Sequence, residues 1–476
     1  MLAIVLHTHM PYVESFGTWP FGEEWLWEAI VGSYAPLLEL LDAGAPLTLS
    51  LTPVLCDQLE APGVHERFAT FVDDVRRHTH EEDIAGLRAA GHERLARELE
   101  RSWTDYEAAL RELQRRDGDL LAALAPYAQW TSAATHAVLP LLATDDGVRL
   151  QVHTGVASHR ARFGAGWRGG FWLPECAHVA RLEPLLADAG VHATCVELTA
   201  RHGLGAAEHL RPRLADSGVV LVPIDRASID LVWSERGYPA HAAYRDYHHH
   251  TIHHHTPWSN DGGAYDHPRA LATARAHAAD FVRRTAARLR DVGAGLPGGG
   301  LAVCALDTEL LGHWWYEGVA WLGAVVEECS RQQLELVRLD DALERIEPMS
   351  GGEPTPADES RTASSRARGF GDEDRPTSWG AHGDLSTWSA PDVADVAFAL
   401  RQAELEAMAV RPRAGRAALR ELLALQSSDW AFMLSRKLAA PYARERLALH
   451  RAALEQALLA PERVDPRASR NIAAYV

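Results

Sequence analysis

The strongest constraint on the fold of this chain is a recurring set of short, continuously apolar segments. These strand-like runs occupy residues 2–6, 47–51, 170–173, 193–197, 219–222 and 301–306. Strands that are buried on both faces have unbroken apolar runs, and such strands belong to parallel sheets covered by helices. Because parallel neighbours need long crossover connections, the helix-like stretches between the runs predict an α/β fold, either a β/α barrel or a layered sheet.

Three regions depart from this alternation of strands and helices. Leucines at helical spacing among many charges predict a helical insertion at about residues 60–130. Residues 348–376 are rich in Gly, Ser, Pro and charged residues, which predicts a flexible linker. Beyond it, apolar stripes at helical spacing predict an all-helical domain over 377–476. We therefore expect a β/α domain at 1–347 that carries the insertion, the linker, and the C-terminal helical domain.

Charge and lysine content exclude several classes of function. The net charge of −18 would repel phosphates, so we expect neither nucleic acid nor an anionic membrane as a partner. Lys437 is the only lysine and lies in no Schiff-base or P-loop motif, which argues against both of those classes.

The cysteines and the hydropathy pattern predict a cytoplasmic protein. The five cysteines are scattered, fall mostly in apolar runs and form no CxxC pair, so we expect buried thiols in a reducing compartment. The first seven residues resemble a buried strand rather than a signal peptide. No continuous apolar run approaches the roughly 18 residues of a transmembrane helix.

Two of the strand-like runs end in carboxylates, at Glu175 and at Asp307. In β/α barrels the carboxyl ends of the strands form the catalytic face. Trp172 and His178 lie close to Glu175 in the sequence, which favours a functional role over a surface loop. Aromatic side chains suit sugar rings, and two carboxyl groups on separate strand ends are what glycoside chemistry requires.

The segment after Asp307 adds a second concentration of aromatic residues, with His313 and Trp314 within it. An alternative interpretation is a buried aromatic cluster in which Asp307 caps a helix. We favour the functional interpretation, and we favour Asp307 over Glu309 because Asp307 is nearer the strand end.

Histidines suggest a different chemistry in two places. His7 and His9 lie on one face of the first strand and could be metal ligands if an acidic residue or a histidine at a strand end joined them, which leaves a metal-dependent hydrolase as an alternative. The histidine-rich segment 248–255 has no carboxylate or cysteine partner at fixed spacing, so we interpret it as a solvated loop that could bind metal adventitiously.

Several aromatic residues in Gly-, Pro- and Ser-rich segments are candidates for ligand contact. Tyr238 lies between Gly237 and Pro239, which suggests the tip of a mobile loop that could cover a substrate. Tryptophans outside periodic structure are costly to expose unless they bind something; the candidates are Trp379, Trp388 and, with the neighbouring Asp429, Trp430. Anchoring of the helical domain is the alternative for at least one of them.

Taken together, five motifs resemble those of glycoside hydrolase family 57, and most closely its 1,4-α-glucan branching enzymes. They span most of the chain in the family's order: His7-Thr8-His9-Met10-Pro11-Tyr12-Val13, Ser132-Ala133-Ala134-Thr135-His136, Trp172-Leu173-Pro174-Glu175-Cys176-Ala177, Asp307-Thr308-Glu309-Leu310 with Gly312-His313-Trp314-Trp315, and Gln426-Ser427-Ser428-Asp429-Trp430.

The resemblance implies a distorted (β/α)7 barrel with a helical insertion and a C-terminal helical domain that contributes to a glucan-binding cleft. It implies Glu175 as nucleophile and Asp307 as general acid/base. His9 would hydrogen-bond the sugar, Tyr238 would cover the glycosyl-enzyme, and the remaining implied substrate contacts are His136, Trp172, His313, Trp314, Trp379, Trp388, Asp429 and Trp430.

We therefore expect an α-1,4-glucan branching enzyme of carbohydrate metabolism, acting on amylose or a glycogen-like polysaccharide with retention of configuration. We expect no cofactor and no metal, and a monomer or small homo-oligomer. A 4-α-glucanotransferase or an amylolytic hydrolase of the same family remains the nearest alternative, and a glucan-binding protein without activity remains a third.

Overall fold

The computed structural model describes residues 1–14, 22–350, 375–410, 415–460 and 471–476. These residues form two compact units. The first comprises residues 1–128, 227–291 and 304–338, and the second comprises 129–226, 292–303 and 339–476.

Nine strands are present in the described residues. In chain order they are β1 (Leu2–Thr8), β2 (Thr48–Leu51), β3 (Ala128–Ser132), β4 (Gly170–Trp172), β5 (Ala193–Val196), β6 (Arg213–Leu214), β7 (Val220–Pro223), β8 (Ala302–Asp307) and β9 (Met349–Ser350).

Helices occupy most of the remaining described residues. The α-helices are α1 (Glu23–Ala29), α2 (Ala35–Asp42), α3 (Pro53–Leu59), α4 (Val64–Thr70), α5 (Arg77–Ala89), α6 (Glu93–Arg115), α7 (Leu120–Leu124), α8 (Asp145–Phe163), α9 (Glu183–Asp188), α10 (Thr199–His202), α11 (Arg226–Ile229), α12 (His267–Asp291), α13 (Gly318–Arg331), α14 (Leu339–Leu343), α15 (Ser386–Ser389), α16 (Ala394–Ala409), α17 (Arg416–Leu425), α18 (Ser428–Arg436) and α19 (Ala440–Leu459). Two π-helical segments, Ile30–Tyr34 and Phe71–Arg76, precede α2 and α5.

In the first unit, β1 lies between β8 and β2. β1 and β2 are parallel, with Val5 opposite Thr48 and Thr8 opposite Leu51. Every residue of β1 is buried, as the continuous apolar run predicts for a strand covered on both faces. The carboxyl ends of β1 and β2 therefore lie side by side, and the residues that follow them can share a site.

In the second unit, β3, β4, β5 and β7 are parallel neighbours in that order. β6 is antiparallel to β7 and pairs with β9. Apolar side chains from β4, α8 and α9 form one core cluster with the loop after β3, and Phe171, Val152 and Leu186 are fully buried in it. This packing holds the end of β4 and the loop after β3 as a rigid platform.

The structure confirms the predicted α/β fold class. Each of the six apolar runs contains a strand, four of the α-helices fill the predicted insertion between β2 and β3, and α15 to α19 form the helical C-terminal region. The sequence did not predict β3, because four of its five residues are polar or small and its first two are only half-buried. Residues 351–374 of the predicted linker lie outside the described residues, and the predicted domain boundaries remain predictions.

Candidate active site

Glu175 lies in a tight turn directly after β4. Pro174 begins a single 3₁₀ turn that ends at Cys176. Within it Glu175 has φ 62° and Cys176 has φ 48°, both in the left-handed region that residues other than glycine rarely adopt. The turn stops the strand and places the carboxylate at its carboxyl end, as the sequence predicted.

The Glu175 carboxylate is held by groups from distant parts of the second unit. The indole Nε1–H of Trp379 donates to its Oε2 at 2.8 Å. The Nδ1 of His136 lies 3.8 Å from its Oε1, and the Glu175 side chain is 13% exposed. A carboxylate fixed in this way keeps one orientation while a small part of it remains accessible to a ligand.

Backbone hydrogen bonds fix the position of Trp379 beside this turn. Thr377 and His178 exchange two backbone hydrogen bonds of 2.9 and 3.0 Å, and the backbone N–H of Trp379 donates to the Glu175 carbonyl at 3.0 Å. The Trp379 ring also packs edge-on against Trp172, with ring centroids 5.1 Å apart. Residues 377–379 therefore extend the β4 turn as an added strand-like segment.

His136 is itself held in a defined orientation. Its backbone is left-handed, with φ 59°. Its Nδ1 is 2.9 Å from the Ser428 hydroxyl, and its carbonyl accepts from the Ser428 backbone N–H at 3.1 Å. The motifs that contain His136, Glu175 and Ser428, far apart in the sequence, thus converge on one carboxylate.

Two predicted glucan contacts are buried instead of facing solvent. Trp388 is 2% exposed and packs with Val138, Ala177 and Ala431. Trp430 is fully buried, and its Nε1–H donates to the Ala424 carbonyl. The position of Trp388 corresponds to the anchoring alternative of the sequence analysis, whereas Trp430 packs within the C-terminal helices. A third predicted contact, Trp172, is also fully buried, and Trp379 is the tryptophan beside Glu175 that is partly exposed. Asp429 accepts a hydrogen bond from the Ser427 hydroxyl within the same motif as Ser428.

Asp307 is the last residue of β8 in the first unit and is exposed. The next two side chains are buried and tie the strand end to its neighbours. The hydroxyls of Thr308 and Thr8 are 2.7 Å apart. Glu309 accepts from the Tyr34 hydroxyl at 2.6 Å and from the His9 backbone N–H at 3.1 Å.

Glu309 and Asp307 have opposite environments. Glu309 is 7% exposed, and burial raises its pKa to about 7 against the opposing effect of its hydrogen bond from Tyr34. Exposed Asp307 is the carboxyl group that a ligand can reach, in agreement with the sequence-based preference. The sequence did not indicate that Glu309 links β8 to β1, because its partners lie about 300 positions away in the chain.

His7, near the end of β1, and His9, directly after it, lie on one face, as their alternation predicted. The rings of His7 and His9 are stacked with centroids 5.9 Å apart. His9 Nδ1 is 3.2 Å from the Thr52 hydroxyl at the end of β2. Burial, reinforced by the neighbouring His9, lowers the pKa of His7 well below its usual value, so His7 is neutral at pH 7. Among the described residues, no group of three or more His, Cys, Asp or Glu side chains could hold a metal ion.

His313 and Trp314 line a cavity of about 850 Å³ in the first unit. Trp314 is 41% exposed, and its ring lies 4.6 Å from that of Tyr247. Gly312 has φ 102°, and a Cβ there would lie 1.8 Å from the Gly32 carbonyl oxygen. Only glycine therefore allows the turn after β8 to pack this closely on the π-helical segment.

Tyr238 and the histidine-rich segment are both anchored to helices. The Tyr238 hydroxyl donates to Asp280 of α12 at 2.8 Å, and its ring stacks on His277. His253 and His255 contact Asp83 of α5 through their Nδ1 atoms, at 2.8 and 2.6 Å. The predicted solvated loop is therefore partly buried, with His255 only 4% exposed.

Sequence profiles of two families match this chain. "Glycosyl hydrolase family 57" matches residues 129–350, and "1,4-alpha-glucan branching enzyme, C-terminal" matches residues 393–468. The first profile includes the Glu175 turn and the end of β8, and the second covers α16 to α19. In the described part of the chain, no helix has the length and apolar character needed to cross a membrane.

Proteins named as branching enzymes or probable branching enzymes are similar to the chain over nearly its whole length. A 1,4-α-glucan branching enzyme of Thermococcus kodakarensis is 30% identical over 94% of this chain and 72% of its own. A probable 1,4-α-glucan branching enzyme of Mycobacterium tuberculosis is 32% identical over 94% and 90% of the two chains. The crystal structure of a branching enzyme from Pyrococcus horikoshii superposes with a TM-score of 0.84 at 27% identity, covering 98% of this chain and 92% of that one.

Proposed function

The chain belongs to glycosyl hydrolase family 57, among its 1,4-α-glucan branching enzymes, and from this we propose that it moves α-1,4-glucan segments onto 6-hydroxyl groups with Glu175 as nucleophile and Asp307 as general acid/base. Family membership makes it an enzyme that acts on α-glucan. The observation that carries the assignment of roles is the constrained Glu175 turn, whose carboxylate contacts Trp379 and His136.

In the first step, one carboxyl oxygen of Glu175 attacks the anomeric carbon of the donor chain. The bond from that carbon to the glycosidic oxygen breaks, and Asp307 gives its proton to the departing oxygen. The hydrogen bond from Trp379 stabilises the ionised Glu175 and fixes the rotation of its carboxylate. This chemistry requires the two carboxyl groups to be about 5–5.5 Å apart.

In the second step, the ionised Asp307 takes the proton of an acceptor 6-hydroxyl. That oxygen attacks the anomeric carbon, and Glu175 leaves with the electron pair of the ester bond. Two inversions at one carbon give net retention, and Asp307 returns to its protonated state.

Transfer exceeds hydrolysis only if water is kept from the ester while the acceptor is bound. Trp379 is partly exposed and offers an aromatic surface next to Glu175 for a sugar ring, and the fully buried Trp172 supports it edge-on. Tyr238 is the residue that we assign to covering the ester, and His9, His313 and Trp314 are those that we assign to sugar contacts. The substrate that we propose is amylose or a glycogen-like polysaccharide in the cytoplasm, in agreement with five buried thiols.

Incubation with amylose followed by proton NMR tests this function. We expect new α-1,6 anomeric signals with the wild type. Glu175→Gln and Asp307→Asn should each lower the rate of their formation by at least about 10³-fold, because each removes a group that acts in both steps. Glu66→Gln and Asp188→Asn are matched controls on exposed helical positions, and they should retain full activity.

The alternatives give other results in the same experiment. Accumulation of reducing ends without α-1,6 signals would identify a hydrolase and refute branching. Loss of activity on exhaustive chelation would identify a metal-dependent hydrolase. Glucan binding without turnover in the wild type would leave a binding protein, and full activity of Glu175→Gln would refute the assigned nucleophile.

A further inference from the structure

A buried carboxylate outside the proposed chemistry connects the C-terminal helices to the candidate site. Glu404 of α16 is 1% exposed. Its two oxygens accept four hydrogen bonds: from the backbone N–H of Ala143 at 2.9 Å, from the backbone N–H and hydroxyl of Thr144 at 2.8 and 2.7 Å, and from the side-chain amide of Gln426 at 3.1 Å. Four donors on two acceptor oxygens satisfy this carboxylate fully.

A chain of amide side chains leads from Glu404 toward His136. Gln426 uses its Oε1 to accept from the Gln151 Nε2 at 3.1 Å. Gln151, which is fully buried, donates from the same Nε2 to the Thr135 hydroxyl at 3.0 Å and accepts from the Thr135 backbone N–H at 3.2 Å. Thr135 directly precedes His136, whose Nδ1 is 3.8 Å from Glu175.

The direction of every hydrogen bond in this chain follows from its first member. Both oxygens of Glu404 accept, so the NH₂ of Gln426 must face it and the Oε1 of Gln426 must face Gln151. Gln151 then presents its NH₂ to Gln426 and its oxygen to the Thr135 N–H. In Glu404→Gln the new NH₂ would face a backbone N–H, that of Thr144 in place of Oε1 or that of Ala143 in place of Oε2. In the Oε2 position it would also oppose the NH₂ of Gln426, which would turn over and leave the NH₂ of Gln151 against the Thr135 N–H.

Space for the carboxylate is provided by a glycine on the facing helix. A Cβ at Gly147 of α8 would lie 2.1 Å from Glu404 Oε1 and 2.5 Å from its Cδ. Because Glu404 is buried and bonded on both oxygens, it could not move away without breaking these bonds. Gly147 and Glu404 therefore form a matched pair.

We propose that Glu404 is a positioning residue that orients His136 against Glu175 through Gln426, Gln151 and Thr135. The left-handed backbone of His136 supports this positioning role, because such a conformation persists only where the surrounding contacts impose it. The inference rests on the proposed role of Glu175, and it deepens that role by naming what holds its neighbour in place.

The test compares steady-state branching by Glu404→Gln with that by Glu406→Gln. Glu406 lies on the same helix and pairs with Arg451 at the surface, so its variant is a matched control. We expect Glu404→Gln to lower kcat by about 10- to 100-fold with KM for amylose within about twofold, because misplacement by a fraction of an ångström slows the chemical step. Glu406→Gln should match the wild type.

A reciprocal exchange tests the direction of the hydrogen bonds. In the double variant Glu404→Gln with Gln426→Glu, the glutamate at 426 accepts from both Gln151 and the new amide at 404, so part of the lost kcat should return. Thr135→Val removes the hydroxyl that accepts from Gln151 at the other end of the chain but keeps the backbone N–H bond. It should lower kcat without changing KM, even if Glu404→Gln does not fold. Thermal midpoints measured alongside separate this effect from general destabilisation.

The proposal is overturned if folded Glu404→Gln keeps its full kcat, if the double variant recovers nothing, or if kcat loss follows the thermal midpoint across all variants. Absence of branching by the wild type would instead refute the proposed function, so the two failures are distinguishable.

Discussion

The candidate nucleophile and two residues beside it share an uncommon backbone conformation. Glu175, Cys176 and His136 have φ values of 62°, 48° and 59°. Each left-handed residue other than glycine costs on the order of 1–3 kcal/mol, so the surrounding contacts must offset this strain. The bonds from Trp379 to Glu175 and from Ser428 to His136 are contacts of that kind. Strain concentrated at one carboxylate is typical of a site where orientation matters for chemistry.

The hydrogen bond from the Trp379 indole to Glu175 can be removed while an aromatic ring is kept at position 379. Trp379→Phe retains an aromatic ring against Trp172 but loses the 2.8 Å bond to Glu175. A hydrogen bond to a charged group contributes about 1.5–3 kcal/mol. Formation of the glycosyl-enzyme should therefore slow about 10- to 100-fold, measured by the burst of leaving group from an activated α-glucoside.

A matched variant separates the effect of losing the Trp379–Glu175 hydrogen bond from the effect of replacing any indole by a phenyl ring. Trp167→Phe removes an indole that donates to the Gly170 carbonyl at the start of β4, at the opposite end of the strand from Glu175. We expect its burst rate to stay within about twofold of the wild type. Equal rates for both variants would show that the Trp379 bond does not assist the reaction.

At the scale of elements, the histidine-rich segment 248–255 is fastened to helix α5. Asp83 accepts from the Thr251 hydroxyl and from the Nδ1 atoms of His253 and His255. The His255 ring lies 3.8 Å from that of His80, centroid to centroid. Because the same segment lines the cavity of the first unit, its attachment determines the shape of that wall.

Protonation should loosen this attachment. Burial lowers the pKa of His255 to about 4, and burial together with His255 lowers that of His80 to about 2. Burial alone would raise the pKa of Asp83, but hydrogen bonds from His255 and Thr251 hold that pKa below its usual value. Other charged or titratable groups here are Glu28, Arg76, Glu82, Tyr106, His250, His253 and His254.

The segment therefore binds fewer protons when it is attached to α5 than when it is detached. The free energy that favours attachment is greatest above about pH 6.5 and falls as the pH is lowered toward 4. Hydrogen exchange of residues 248–255, corrected for the intrinsic rate, should accelerate between pH 7 and pH 5. Asp83→Asn should exchange quickly already at pH 7. Equal protection at both pH values in the wild type would contradict this.

Sequence patterns predicted the elements better than the contacts. Strands buried on both faces have a strong apolar signal, so the end of β4 before Glu175 and the end of β8 at Asp307 were predictable. β6 and β9 are too short for any pattern. The burial of Trp388 and the partners of Glu404 could not be predicted, because they depend on side chains hundreds of positions away that follow no local period.

For the whole molecule, all five cysteines are buried thiols. Burial raises the pKa of Cys329 to about 12 and that of Cys195 well above its usual value. Only the thiolate reacts readily, so an aromatic disulfide reagent at pH 8 should label none of them in the native protein within minutes. In guanidinium chloride it should label all five. A rapidly labelled thiol in the native state would show that one of these sites opens to solvent.

The pairing of Gly147 with Glu404 restricts how the gene can be recombined. A chimaera that takes α8 from a relative and keeps the C-terminal helices of this chain would set a new residue 147 against Glu404, and any Cβ there would clash with the carboxylate. A functional chimaera of this enzyme with a relative therefore requires residues 147, 151, 404 and 426 to come from the same parent sequence.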